Sequence, residues 1–131
     1  METKRLAGLE PAAVFHYFEE ICAIPHSSRN TKKISDYLVD FAKEHGLRCI
    51  QDASNNVILF GNGTCGMEDH APVILQGHMD MVPNQTKPET HNFDTDPILT
   101  EVDGEWLHSK GYKTTLGADN GIGVAMALAA L

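Results

Sequence analysis

Val73, Ile74 and Leu75 form a continuous β-favouring run between Pro72 and Gly77, and the run leads directly into His78-x-Asp80. A short apolar stretch bracketed in this way predicts a strand buried on both faces, the inner kind of an α/β sheet. In such sheets ligand sites form just beyond the carboxyl ends of the strands, which is where His78 and Asp80 fall. Two positions apart in an extended chain, their side chains point to the same side. An imidazole held by a carboxylate through one ring nitrogen keeps the other for a metal.

A second acid sits in residues 114–123, TTLGADNGIG, a glycine-rich turn running into an apolar stretch over residues 122–131. Asp119 therefore lies where a loop becomes a helix. Two loops of this kind near one sheet edge can bring an imidazole and a carboxylate to the same cation, and zinc accepts both donors. Taken singly, each element has a plainer reading. His-x-Asp after a strand fits a surface loop with a hydrogen-bonded histidine. Asp119 fits a helix N-cap, with Gly121 and Gly123 allowing close packing. A phosphate cradle fits poorly, because the stretch lacks the GxGxxG spacing and a Walker lysine.

The rest of the chain reads as support for these two loops. Its 131 residues, 42% apolar and 21% charged, suit one soluble domain with a real core. Ten basic against 18 acidic residues give a net charge of −8, which argues against nucleic acid or an anionic membrane as partner. Cys22, Cys49 and Cys65 are far apart and form no CxxC, which predicts neither a disulfide framework nor a cysteine zinc site and suits a reducing cytoplasm. The opening METKRLAGLEPAAV meets a proline and acids before any hydrophobic region, unlike a signal peptide. The longest apolar run, at the other end, is too short to span a bilayer.

Residues 1–10 read as a loose leader. Pro11 suits a first helical turn, and Val14, Phe15, Phe18, Ile21 and Cys22 then keep one apolar face until Ile24-Pro25 ends the helix. Glu19-Glu20 is a pair of the sort a hydrolase uses for its carboxylate base, but it falls on the outer, solvated face. His26, in the loop that follows, is ambiguous, and Ser28 or Asn30 is a candidate N-cap. A second helix carries Ile34, Tyr37, Leu38, Phe41 and His45 on one side and stops at Gly46. Residues 47–51 and 56–60 are predicted strands around a turn at 52–55, and 98–102 and 105–108 flank the hairpin signal Asp103-Gly104. Residues 83–97 form a long polar connection. The order predicts an α/β fold with a mixed sheet. Val124, Leu128 and Leu131 are still in helical register at the last residue, which predicts a chain cut short of its domain.

The segments VILQGHMDMVP, DGEW and TTLGADNGIG, with ICAIPHSS and AKEHGL before them, together resemble the aminoacyl-histidine dipeptidases. These are the Xaa-His or cytosolic non-specific dipeptidase branch of the zinc-dependent M20 peptidases, and the resemblance runs along essentially the whole chain. It implies a three-layer αβα zinc-peptidase catalytic domain, with residues 1–131 as its N-terminal portion and the lid or dimerisation domain absent. His78 would ligate one of two zinc ions, Asp80 would hold the His78 ring, and Asp119 would bridge the zincs with a cis peptide bond to Asn120. Co2+ or Mn2+ would also suit such an N/O ligand set. The activity implied is hydrolysis of dipeptides by a metal-activated water, with a glutamate as general base. That glutamate and the remaining ligands would lie beyond Leu131, so the chain alone is expected to be inactive. The resemblance admits a homodimer of the full-length enzyme. The alternative is a non-catalytic short product that binds metal or a protein partner through an unfinished sheet edge.

Overall fold

The computed structural model of the chain describes residues 5–131. Two helices open it, α1 (Ala12–Ala23) and α2 (Lys32–Glu44). Pro11 stands at the N-cap of α1, and Ile24 leaves the helix in an extended conformation ahead of Pro25. Phe18, Ile21 and Cys22 of α1 are buried, with Val14 and Phe15 packed beside them. On α2 the buried residues Ile34, Leu38 and Phe41 follow the helical period, and Gly46 closes the helix at a φ of +66°. The helix starts from Thr31, with no side-chain cap, so neither Ser28 nor Asn30 is its N-cap.

Strands β1 (Arg48–Gln51) and β2 (Val57–Phe60) pair antiparallel. Asp52 organises their turn by accepting the backbone N–H groups of Ser54 and Asn56. Strands β3 (Thr100–Asp103) and β4 (Trp106–Ser109) form a second hairpin. Asp103 pairs with Trp106, so the tight turn is Gly104-Glu105, one residue later than the Asp-Gly signal suggested, with Gly104 taking the positive φ of +59°. A short 3-10 turn (Lys110–Tyr112) and the glycine-rich loop lead to α3 (Ala118–Ala130). The core lies between α1 and α3, where Phe18, Ile21 and Ala125 meet Met81 and Ile98.

Three features differ from the sequence-based expectation. Among the described residues the strands form two separate two-stranded sheets instead of one mixed sheet. The predicted inner strand at residues 73–75 is neither paired nor buried: Val73, Ile74 and Leu75 are 83%, 87% and 61% exposed. Both differences have one cause. Hairpin strands close on sequence neighbours, whereas an inner strand needs distant strands on its two edges, and none of β1–β4 runs beside this segment. The leader reading also fails in part. Leu6 is buried in the core and Arg5 N–H donates to the Glu19 carboxylate, while residues 1–4 lie outside the described residues.

Candidate metal centre

Three loops knit together beneath the site. Met81, 2% exposed, donates its N–H to the His26 carbonyl and accepts from Ser28 N–H, each at 3.0 Å. Thr115 ties the glycine-rich loop to the same segment: its hydroxyl donates to the Val82 carbonyl at 2.6 Å and its N–H to the Asn84 carbonyl at 2.9 Å. Gly117, in the left-handed region at a φ of +80°, lies where an added Cβ would come within 3.0 Å of the Met81 sulfur. Only glycine gives both that backbone and that approach. The loops after residues 26, 80 and 114 are therefore held in fixed relation, which brings His78 and Asp119 together.

His78 and Asp80 lie on one side of the chain, as their spacing predicts: His78 Nδ1–H donates to Asp80 Oδ1 at 3.1 Å. The opposite ring nitrogen, Nε2, faces Asp119 Oδ1 at 3.0 Å. The imidazole is thus clamped between two carboxylates. Its pKa is held above the usual histidine value, chiefly by the hydrogen bond to Asp119, against desolvation and with further support from Asp80. Asp80 has a lowered pKa, chiefly because Ser28 Oγ–H donates to its Oδ2 at 2.6 Å, with His78 adding to the effect. Ser28 is the site residue that sequence reasoning missed. Its signal, a hydroxyl in the polar loop after α1, fits many loops, and only the Met81 contacts bring that loop under Asp80.

Asp119 is not an N-cap. Gly117 occupies the cap position without a side-chain bond, and Asp119 and Asn120 depart from helical geometry (φ −94°, ψ 99° and φ −117°, ψ 32°) across a cis peptide bond. The Asp119 side chain is 97% exposed and turned toward His78. The Asn120 side chain fills the space that the missing Cβ atoms leave: an added Cβ at Gly77 would meet its Nδ2 at 2.7 Å, and one at Gly123 would strike its Oδ1. The glycines do serve close packing, and what they pack is the turn presenting Asp119.

The remaining candidates fall elsewhere. Glu19 and Glu20 are not simply solvated: Glu19 accepts from Arg5 and Leu6 N–H, and Glu20 accepts the Tyr37 hydroxyl at 2.8 Å, joining α1 to α2. His26 is 2% exposed and donates Nδ1–H to the Ile24 carbonyl, a supporting role beneath the site. His45 stacks on Phe41 and His108 on Tyr112. Among the described residues no group of three or more His, Cys, Asp or Glu side chains is placed to hold a metal ion. The donor chemistry of His78 and Asp119 suits two positions of a zinc-type site, and other donors would have to complete it.

Proteins similar to this chain are dipeptidases. Over 126 residues it is 44% identical to the cytosol non-specific dipeptidase of Escherichia coli strain K12, an alignment covering 96% of this chain and 26% of that protein. The crystal structure of aminoacylhistidine dipeptidase from Vibrio alginolyticus superposes with a TM-score of 0.89 at 42% identity, over 95% of this chain and 25% of that one. No protein-family model matches. The chain is thus similar to an aminoacylhistidine dipeptidase and a cytosol non-specific dipeptidase, and it spans about a quarter of their length. None of its described helices is long and apolar enough to cross a membrane.

Proposed function

We propose that residues 1–131 furnish part of the active site of a zinc-dependent M20-type dipeptidase. In this reading they are the N-terminal portion of a three-layer αβα catalytic domain with a mixed sheet. The observation that carries it is His78 Nε2 facing Asp119 Oδ1 at 3.0 Å while Nδ1–H is held by Asp80. His78 would donate Nε2 to the metal, Asp119 would supply carboxylate oxygen to one or both of two zinc ions, and Co2+ or Mn2+ would also suit these donors. When bound, the metal supplies Lewis acidity toward a water and toward the scissile carbonyl. Asp80 keeps Nδ1 protonated and so directs the Nε2 lone pair at the site, and Ser28 fixes Asp80 in turn. Gly77 and Gly123 seat Asn120, which steadies the turn that carries Asp119.

The substrates are small dipeptides, Xaa-His among them, in keeping with the name of the Vibrio relative, and the full-length enzyme works in the cytoplasm, in keeping with that of the Escherichia coli relative. It uses neither nucleic acid nor membrane, and a homodimer is compatible with this reading. The general base and the remaining ligands belong to polypeptide outside these residues, so the isolated chain is inactive.

A chimera tests the proposal. Residues 1–131 replace the aligned segment of the Escherichia coli relative, and Xaa-His hydrolysis is assayed with zinc. Activity in the chimera, and its loss by roughly 1,000-fold or more in His78→Ala and in Asp119→Ala, is the expected outcome. An active chimera indifferent to both substitutions overturns the site. Zinc-dependent turnover by the isolated chain, abolished by Asp119→Ala, overturns the claim that it is inactive alone.

A further inference from the structure

A cleft of about 230 Å³ lies between α1 and α2 and shares no lining residue with the metal centre. Its walls are aromatic. Tyr17 meets Phe41 edge-on with ring centroids 5.4 Å apart, and Phe41 stacks on His45 at 4.1 Å. The His45 ring is pinned in that stack, because its Nδ1–H donates to the Phe41 carbonyl at 2.9 Å. Carboxylates from both helices complete the lining, Glu20 of α1 with Asp40 and Glu44 of α2. Glu20 is fixed by the Tyr37 hydroxyl at 2.8 Å and by His16 Nε2 at 3.2 Å. Lys43 engages Asp40 at 2.9 Å, but no lysine or arginine lines the cleft. Among the described residues no basic side chain pairs with Glu44.

The lining selects the occupant. A surface that joins a larger core is apolar, as residues 73–75 are, whereas covering this cleft with more polypeptide would strip water from three carboxylates at high cost. A metal ion does not fit, since no group of three or more His, Cys, Asp or Glu among the described residues is placed to hold one. An organic cation does fit. Aromatic faces attract it through the ring quadrupole, and carboxylates accept its N–H groups in charge-assisted hydrogen bonds. Molecules that carry their own carboxylate, dipeptides included, are repelled by the same acids. A cavity of about 150 Å³ holds a benzene ring, so this cleft has room for one ring and a short amine arm. We propose that the α1–α2 cleft binds small primary amines that lack a carboxylate. The ammonium group lies between Glu20 and Glu44, and the apolar body lies against Tyr17, Phe41 and His45. Nothing in this inference rests on the dipeptidase reading.

Calorimetric titration with phenethylamine tests it, on the chain and on the metal-free chimera that carries residues 1–131. Saturable one-to-one binding to both is expected. Phenylpropionate keeps the ring but carries a carboxylate, and it is expected to bind at least about 10-fold more weakly. Glu20→Gln and Glu44→Gln are each expected to weaken amine binding by about 3–10-fold. Glu44 is exposed near the end of α2, so its variant is expected to keep the helix content of the parent. His78→Ala is expected to leave amine affinity unchanged. Absence of binding to the chain overturns the inference, as does binding to the chain but not to the chimera, which would mean that the cleft is covered in the longer protein. Equal affinity for phenylpropionate, or indifference to both glutamine variants, would reduce the cleft to an apolar crevice and overturn it as well. None of these outcomes touches the dependence of Xaa-His hydrolysis on His78 and Asp119, so the two readings fail separately.

Discussion

Phe18, Ile21 and Ile34 are at most 1% exposed, whereas Val73, Ile74 and Leu75, no less apolar, stand 61–87% exposed in the same molecule. The first three lie on helices whose hydrogen bonds are internal, so each helix arrives with its backbone satisfied and needs only a second apolar stripe to pack against. The second three lie in a segment whose backbone groups need neighbours before its side chains can be covered. Burial in this chain therefore follows the range of the contacts required more than the hydrophobicity of the residues. The site sits on the boundary between the two regions: His78 ends the open segment, while Met81 and Asp119 are anchored by the packed one.

Unfolding measurements on the isolated chain give this contrast its strongest test. Ile21→Ala leaves a cavity in the core and is expected to cost about 2–5 kcal/mol in urea titration. Ile74→Ala is expected to stay within about 0.5 kcal/mol. Equal costs would mean that the 73–75 segment is packed in solution and would break the comparison.

At the boundary, Asp80→Ala in the chimera is expected to weaken zinc affinity by roughly 10–100-fold with the fold intact, as read by competition with a chelating dye. Unchanged affinity would remove Asp80 from the positioning role. Within the packed region, Tyr37→Phe deletes the hydroxyl that Glu20 accepts between α1 and α2 and is expected to cost about 1 kcal/mol. A null result there would place the α1–α2 contact entirely in its apolar residues.

The smallest expected effect is a pH slope. Burial lowers the pKa of His26 below its ordinary value, despite the Ile24 carbonyl and Asp80, which raise it. In the window between the folded and unfolded values the unfolded chain binds more protons, so stability rises with pH. The contribution is complete above the unfolded value of about 6.5 and is lost as pH falls toward the folded one. Urea midpoints at pH 7 and pH 5 should show this decline, and His26→Gln should flatten it. An unaltered slope in that variant would show that His26 stays accessible to protons, loosening the base on which the site stands.

Local elements were largely legible from the residues. Apolar periodicity marked both helices, Gly46 marked the end of the second, and turn formers marked both hairpins to within a residue. The pairing of His78 with Asp80 followed from strand geometry alone, and the approach of Asp119 was drawn from two loops near one sheet edge. Ser28 was out of reach because its partner, Asp80, lies 52 residues away. Glu19 and Glu20 were read as solvent-facing from their place on the helix, yet each caps or joins a neighbouring element that periodicity does not reveal.

What the sequence determined by itself was therefore whatever is settled within a few residues: helix faces, turn chemistry, and the two motifs with their glycines. Tertiary structure alone decided whether 73–75 would be an inner strand or an open one, whether Asp119 would cap a helix or face an imidazole, and which loop would steady Asp80. Each of those outcomes depends on a group supplied from far along the chain. Local preference fixes what a segment is able to form, and the partner that reaches it through space fixes what it does form.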